Sequence, residues 1–485
     1  MANKVYKVNV KKKIGNNHKQ IFSCIVACMP ILAYGTSMAW VSPYKALLMG
    51  NSSPSQPPLS EEDISWMASV MFIFAPIAVF LYGVSADKFG RKKTVLCCSI
   101  PIAIGWAIKL ISANPIALIS ARAFIGFGSG GGFVVCPLYV KEISEDSIRG
   151  MTGTFIMFSQ TVGNLFMFLI GDMLPFYTAL WILLAIPVIH VCCNLKLPET
   201  PSYLIKCGKN EEAGKVLGWL RSLPAGHELI DKEIDALISE QTATEPKFSP
   251  KLLFANKTAL KAFWVVLVVC LTREFCGGIA VLVYASHIFA EASKDSTSLS
   301  LSPNKQSTFM AVVQILGSFL ACQLVDRVGR KPLLAAMAAV AGFSFLLLGI
   351  WFYLESSGTS LPGWVPIAAL CACIFADASG LQPLPFVIMT EMFSFQLRGT
   401  VSTLIGALTL GADFALLKLF SPITIWLGYY ITFWLFSIIN FCYVFYLIIC
   451  VPETKMRSLN DIYEELEGKK SKRTSKDDVV ESNHI

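Results

Sequence analysis

Charge is what this sequence has too little of. Of 485 residues, 15% are Asp, Glu, Lys or Arg and 54% are hydrophobic, whereas a soluble chain carries about 25% charged residues. The scarcity excludes the two or three soluble domains that length alone would allow. The alternating polar–apolar pattern of a membrane barrel is absent. No cleavable signal peptide is apparent, because the first apolar run starts near Gln20 and is long enough to span. No P-loop with its lysine occurs, so nothing supports ATP-driven pumping. The five histidines form no metal-like cluster. Most of the fifteen cysteines, Cys24, Cys97, Cys270 and Cys371 among them, fall in apolar runs. They read as small packing residues, not disulfides or metal ligands. Neither metal nor cofactor is expected.

What is present is a series of long uncharged runs: Gln20–Tyr44, Ile64–Ala86, Gly150–Gly171, Met173–Leu195, Gln306–Val325, Leu333–Leu354 and Leu419–Pro452. About 20 apolar residues at 1.5 Å each cross the hydrocarbon, and only helices satisfy their backbone there. Twelve spans are predicted, near 20–41, 63–85, 94–112, 115–140, 151–171, 175–195, 261–290, 306–325, 332–354, 363–390, 399–420 and 425–450. The fold class is therefore an all-α membrane protein. Cations orient it. Lys4, Lys7, Lys11, Lys12, Lys13 and Lys19 precede the first span, and Lys88, Arg91, Lys92 and Lys93 follow the second. Arg327, Arg330 and Lys331 follow the eighth, while loops of opposite parity hold only Lys45, Lys294 and Lys305. The positive-inside rule puts both termini in the cytoplasm. The net charge of +7 is then topology and implies no nucleic-acid partner. Lipid and a small solute are the expected partners, with no obligate protein partner. Asn51-Ser52-Ser53 is a glycosylation sequon in the first external loop.

Three patterns recur in order. Asp87-x-x-Gly90-Arg91-Lys92 returns as Asp326-x-x-Gly329-Arg330-Lys331, roughly half the chain later. Glu142 with Arg149-Gly150 returns as Glu391 with Arg398-Gly399, and Pro198-Glu199-Thr200 as Pro452-Glu453-Thr454. Each follows an equivalent span, so the chain reads as two six-helix halves in the same orientation. The expected divisions are a cytoplasmic tail 1–19, a bundle 20–195, a cytoplasmic helical linker 196–260, a bundle 261–450 and a cytoplasmic tail 451–485. "NEEAGKVLGWLRSL" and "ELIDKEIDALISE" have the apolar spacing of short helices. The last stretch, "EGKKSKRTSKDDVVESNHI", is polar, low in aromatics and expected to be disordered.

These paired loops, with "ARAFIGFGSGGG", "PETPSYL" and "PETKMRSLNDI", resemble the sugar-porter family of the major facilitator superfamily. The short first external loop, with "PLSEEDISW", is similar to its insect facilitated trehalose transporter branch. The resemblance implies the major facilitator fold, in a carrier of the plasma membrane that works by alternating access. It also implies a cytoplasmic network of Arg91, Arg330, Arg149 and Arg398 with Glu142 and Glu391, strong enough to bias two states and weak enough to break. Asp87 and Asp326 accept at helix ends, and Gly90 and Gly329 permit tight turns. The plainer reading, that the cations only enforce topology, suits Lys92, Lys93 and Lys331 but leaves the acids unexplained. Arg122 opens the fourth span, where the family has an arginine with a structural or gating role. Gly126-x-Gly128-x-x-Gly131 copies a dinucleotide fingerprint but follows no strand, and reads as helix packing.

The pocket departs from the family. Met157 stands where the resemblance implies Gln, "REFCGGI" replaces a Gln-Gln motif with Arg273 and Glu274, Phe386 replaces Trp, and Thr409-Leu410 replaces Asn-Trp. Gln160 and Tyr284 are polar candidates for substrate, or satisfied core residues. Arg273, Glu274, Asp377 and Asp413 place four ionisable groups deep in the second half, and such charges default to functional hypotheses. They either brace the cavity as pairs or titrate with transport. Adjacent helical residues point about 100° apart, so Arg273 and Glu274 are not expected to bond each other. The first span has no acid, unlike the family's proton symporters, which argues for uniport. A facilitated sugar carrier without covalent catalysis is the leading reading. The alternatives are a proton-coupled or charged-solute carrier, and a receptor that binds without translocating.

Overall fold

The computed structural model describes residues 17–145, 147–224, 227–242, 253–254, 257–293, 301–359, 361–455 and 457–467. The C-terminal stretch from 468, most of the basic N-terminus and the side chain of Asp326 lie outside the described residues. All regular structure among those described is helical. Eleven stretches are long and apolar enough to cross a membrane. The first half holds His18–Met49, Glu61–Phe89, Arg91–Ile111, Pro115–Ile143, Arg149–Met173 and Phe176–Asn194, spans one to six. The second holds Lys257–Ala292, Pro303–Val328, Arg330–Ser356, Trp364–Glu391 and Phe395–Cys450. Gly428, at φ 81° and ψ 164°, breaks the last stretch in two. The twelve crossings of the sequence reading are thus present, with the eleventh and twelfth joined by a single residue.

Two other spans are broken. The seventh stops at Phe275 and resumes at Gly278, across Gly277 at φ 93°. The tenth passes through a wide π-helical turn, Asp377–Leu381. Prolines sit inside spans one to four, six and eleven, tolerated because neighbouring helices supply partners. Large apolar side chains such as Phe80, Ile116, Trp426 and Ile449 lie exposed on the outside, as they must where the solvent is lipid.

Small residues bring the helices close. A Cβ added at Gly126 would lie 2.3 Å from the Met71 carbonyl oxygen, and one at Gly130 would lie 2.5 Å from that of Ala75. These two seat the fourth span on the second, and Gly128 seats it on the third, against Cys98. The fingerprint-like glycines are packing residues, as expected. Gly35 and Gly163 join spans one and five in the same way.

Three short helices follow the first half: Pro201–Lys206, Asn210–Arg221 and Glu228–Thr242. Arg221 donates to the Ile143 carbonyl at 3.0 Å and pairs with Glu233 at 2.6 Å, tying them to the end of the fourth span. Ser458 and Asp461 form a capping box that starts Leu459–Leu466. These pieces and the paired Gly-Arg-Lys loops share one face, here called the basic face. The halves meet through spans one and seven, two and eleven, and five and eight.

Candidate functional site

On the basic face the two halves carry near-identical clasps. In the first, Arg91 Nε donates to Glu142 at 3.1 Å, and Asp87 approaches the same guanidinium at 3.4 Å. Glu199 accepts the backbone N–H groups of Arg91 and Lys92, at 2.9 and 3.0 Å, capping the third span. In the second, Arg330 donates to Glu391 at 3.1 Å, and Glu453 accepts from the Arg330 and Lys331 N–H groups. Thr454 Oγ1 donates to Glu391 at 2.5 Å. The turns need glycine twice over. Gly90 and Gly329 have φ of 98° and 110°, and a Cβ on Gly90 would lie 2.3 Å from Glu199. Arg91 thus pairs with Glu142 and Arg330 with Glu391, each pair within its own half. Arg149 and Arg398, exposed, donate to the carbonyls of Ser144 and Phe393.

Glu199 and Glu453 carry these clasps and were not singled out from sequence. Their signal was the doubled Pro-Glu-Thr, which marks the repeat and the family resemblance but assigns the glutamates no role.

The opposite face holds a second set, and it joins the halves. Lys45 is not in a loop as expected: it lies in the first span, buried, and pairs with Glu61 at 3.0 Å. The helix runs on past the apolar stretch because its lysine is neutralised by the acid opening the second span. Ser421 of the eleventh span donates to the same carboxylate at 2.7 Å. Ser65 Oγ donates to the Lys418 carbonyl at 2.9 Å, and Lys418 Nζ lies 4.1 Å from the Trp66 ring centre. The Ser286 N–H donates to Ser42 Oγ at 2.8 Å, and Ser286 Oγ lies 2.9 Å from that of Ser307. Asn164 donates to Gln314 at 3.1 Å. Tyr284, a substrate candidate, belongs here: it stacks on Phe420 at 4.8 Å and donates to the Leu417 carbonyl.

Arg122 is fully buried in the first half. It donates to the carbonyls of Met67 (2.8 Å), Ala68 (3.3 Å) and Ser37 and to Ser37 Oγ (2.7 Å), so it braces spans one, two and four. Lys109, also buried, lies 3.5 Å from the Trp40 ring centre and 4.2 Å from that of Trp106, a cation–π seat.

Between the faces, four of the substrate candidates converge. Arg273 and Glu274 do bond each other, against expectation. The last turn before Gly277 tightens, with the Cys276 N–H bonded to the Arg273 carbonyl, and the long arginine folds back onto its neighbour. Asp377 and Asp413 lie within electrostatic reach of the same guanidinium. Asp377 packs on Gly278, where a Cβ would lie 2.8 Å from its Oδ1. Gln160 stands apart and meets Gln382 across the halves at 3.5 Å. Phe386 packs, half-buried, against the apolar core.

The family model described as "Sugar (and other) transporter" matches residues 8–466. The facilitated trehalose transporter Tret1 of Apis mellifera ligustica is 28% identical over 93% of this chain and 88% of its own length. Tret1 of Bombyx mori is 28% identical over 91% and 86%. The xylose transporter XylE from E. coli, in a structure titled inward open, matches with a TM-score of 0.74 at 19% identity, over 92% of this chain and 99% of that one. The family model spans nearly the whole chain, and the chain belongs to the sugar (and other) transporter family.

Proposed function

We propose that the chain carries a sugar of the trehalose or hexose class through the plasma membrane by alternating access, as a facilitated uniporter that makes and breaks no covalent bond. The basic face is the cytoplasmic one, with both termini, and Asn51, exposed on the opposite side, is the glycan acceptor. One observation carries this reading. The halves are bonded together across the external face, while each cytoplasmic clasp closes inside its own half. A carrier closed at its outer face has that form. Arg91, Glu142, Arg330, Glu391, Arg149 and Arg398, with Asp87, Asp326, Gly90 and Gly329, then act in the inner gate when the halves rock back. Arg122 holds the first bundle rigid. Gln160 and the groups around Arg273 line the path.

Purified protein in liposomes, offered radiolabelled trehalose, hexoses and charged organic solutes, tests the assignment. Saturable trehalose or hexose counterflow is expected. Counterflow of charged solutes alone would replace it with a charged-solute carrier, and ligand binding without any counterflow with a receptor.

A further inference from the structure

Beneath the seal on the face opposite the basic one, the halves leave a cavity of about 70 Å³ between them. Tyr34 lines it from the first span, Phe72, Ala75 and Val79 from the second, Phe133 from the fourth and Leu410 from the eleventh. Tyr34, Ala75 and Leu410 stand near the middles of their spans, His18–Met49, Glu61–Phe89 and the part of Phe395–Cys450 before Gly428. Carriers built from two repeats hold their solutes at that depth. Among the described residues that line the cavity, only Tyr34 brings a hydroxyl. Its ring meets that of Phe133 edge to face at 4.9 Å. One turn above Leu410, Phe414 packs on Trp66 at 6.1 Å, and one turn further Lys418 meets Ser65 and Trp66. The seal therefore roofs the cavity. Phe72 and Ala75 are 1% and 7% exposed, whereas Ile73, Phe74, Ile77 and Phe80, which the second span turns to lipid, take no part in the lining. The space thus faces the interior between the halves and not the bilayer. An apolar cavity stays dry, and a sugar hydroxyl pushed into it would lose its water partners and gain none. Carbon suits it. Its volume is about half of the roughly 150 Å³ that admits benzene, which leaves room for about three carbons.

We propose that this cavity is a subsite for a small alkyl group carried on the transported sugar. The proposal rests on the reading of the chain as a sugar carrier, and it narrows the substrate class to sugars with an apolar substituent, alkyl glycosides among them. The Tyr34 hydroxyl donates to the oxygen that joins sugar and alkyl group, and the apolar walls take the carbons. Leu410 belongs to the second half and the other walls to the first. Rocking of the halves takes the subsite apart, so the alkyl group leaves with the sugar.

The test sets glucose and its methyl, ethyl, propyl and butyl glucosides in competition with radiolabelled glucose or trehalose counterflow in liposomes. Half-inhibiting concentrations should fall about fourfold per added carbon, the value of one buried methylene, and level off near propyl. In Leu410→Trp, whose indole occupies the space, and in Val79→Phe the series should be flat. Leu410→Ala should move the levelling point to a longer chain, a shift that loss of stability does not produce. A flat wild-type series overturns the subsite. A fourfold gain persisting in both Leu410→Trp and Val79→Phe also overturns it, because the gain then comes from partition into lipid or from a site elsewhere. If neither filled variant folds, an unmoved levelling point in Leu410→Ala overturns it and a moved one supports it. Calorimetry of the same glucosides with the purified protein separates the two readings. Binding that tightens with chain length, without any counterflow, overturns the carrier and keeps the subsite. Counterflow with no chain-length gain keeps the carrier and overturns the subsite.

Discussion

Gly90 sits where two demands meet, a backbone with positive φ and a carboxylate in the space of a side chain. Gly90→Ala should therefore lower thermal stability in detergent, by about 1–3 kcal/mol for strain at such a position. Gly153→Ala is the control, because a Cβ there meets nothing within 4 Å. Equal melting temperatures for the two variants would refute the cap geometry. At this scale the sequence was legible where a residue type appeared twice in the same frame. The repeat singled out Arg91, Glu142, Arg330 and Glu391, the family resemblance implied their network, and Arg91 bonds Glu142 as Arg330 bonds Glu391. Lys45 was misplaced because its neutralising acid lies on the next helix, beyond the reach of a local pattern. Arg273 was misjudged because regular helical geometry was assumed too close to a break.

Helix breaks are where the element scale escaped a reading of hydropathy. Length and charge placed the spans, since the bilayer imposes both. The interruptions at Gly277, Asp377–Leu381 and Gly428 lie inside stretches that stay long and apolar enough to cross as a whole, so length and mean hydropathy do not locate them. Only a positive φ, or a widened turn, marks them. The second span shows the opposite case: Ser60 and Asp63 form a capping box, a local signal that fixes where that helix begins. Its first residue, Glu61, reaches Lys45 in one half and Ser421 in the other. Glu61→Gln should loosen the external seal. In intact cells, labelling of the Ser286→Cys variant by an impermeant maleimide should rise several-fold in that background. Unchanged labelling at position 286, read by mass spectrometry, would show that the serine contacts hold the seal without the ion pair.

For the whole molecule, the asymmetry between faces sets the direction of bias. Contacts across the face opposite the basic one join the halves, and the ion pairs Arg91–Glu142 and Arg330–Glu391 on the basic face each lie within one half. Arg91→Ala removes a group that the proposed inner gate needs only when the outside is open. The chain should fold, keep the arrangement described here, and lose the other. Labelling of the Ser286→Cys variant from outside should then fall below the parent level. The two-half architecture was readable from the order of the repeats alone. Which face is shut was not, because a conformational state depends on contacts between residues more than a hundred positions apart, such as Ser42 with Ser286 and Ser65 with Lys418.

The clasps have a further consequence. The partners named in each come from its own half, with its own capping glutamate just past the last span, Glu199 in one and Glu453 in the other. A gene cut in the stretch between the short helices and the seventh span would therefore yield two polypeptides, each inserting unaided and finding its mate through the serine and lysine contacts at the outer rim.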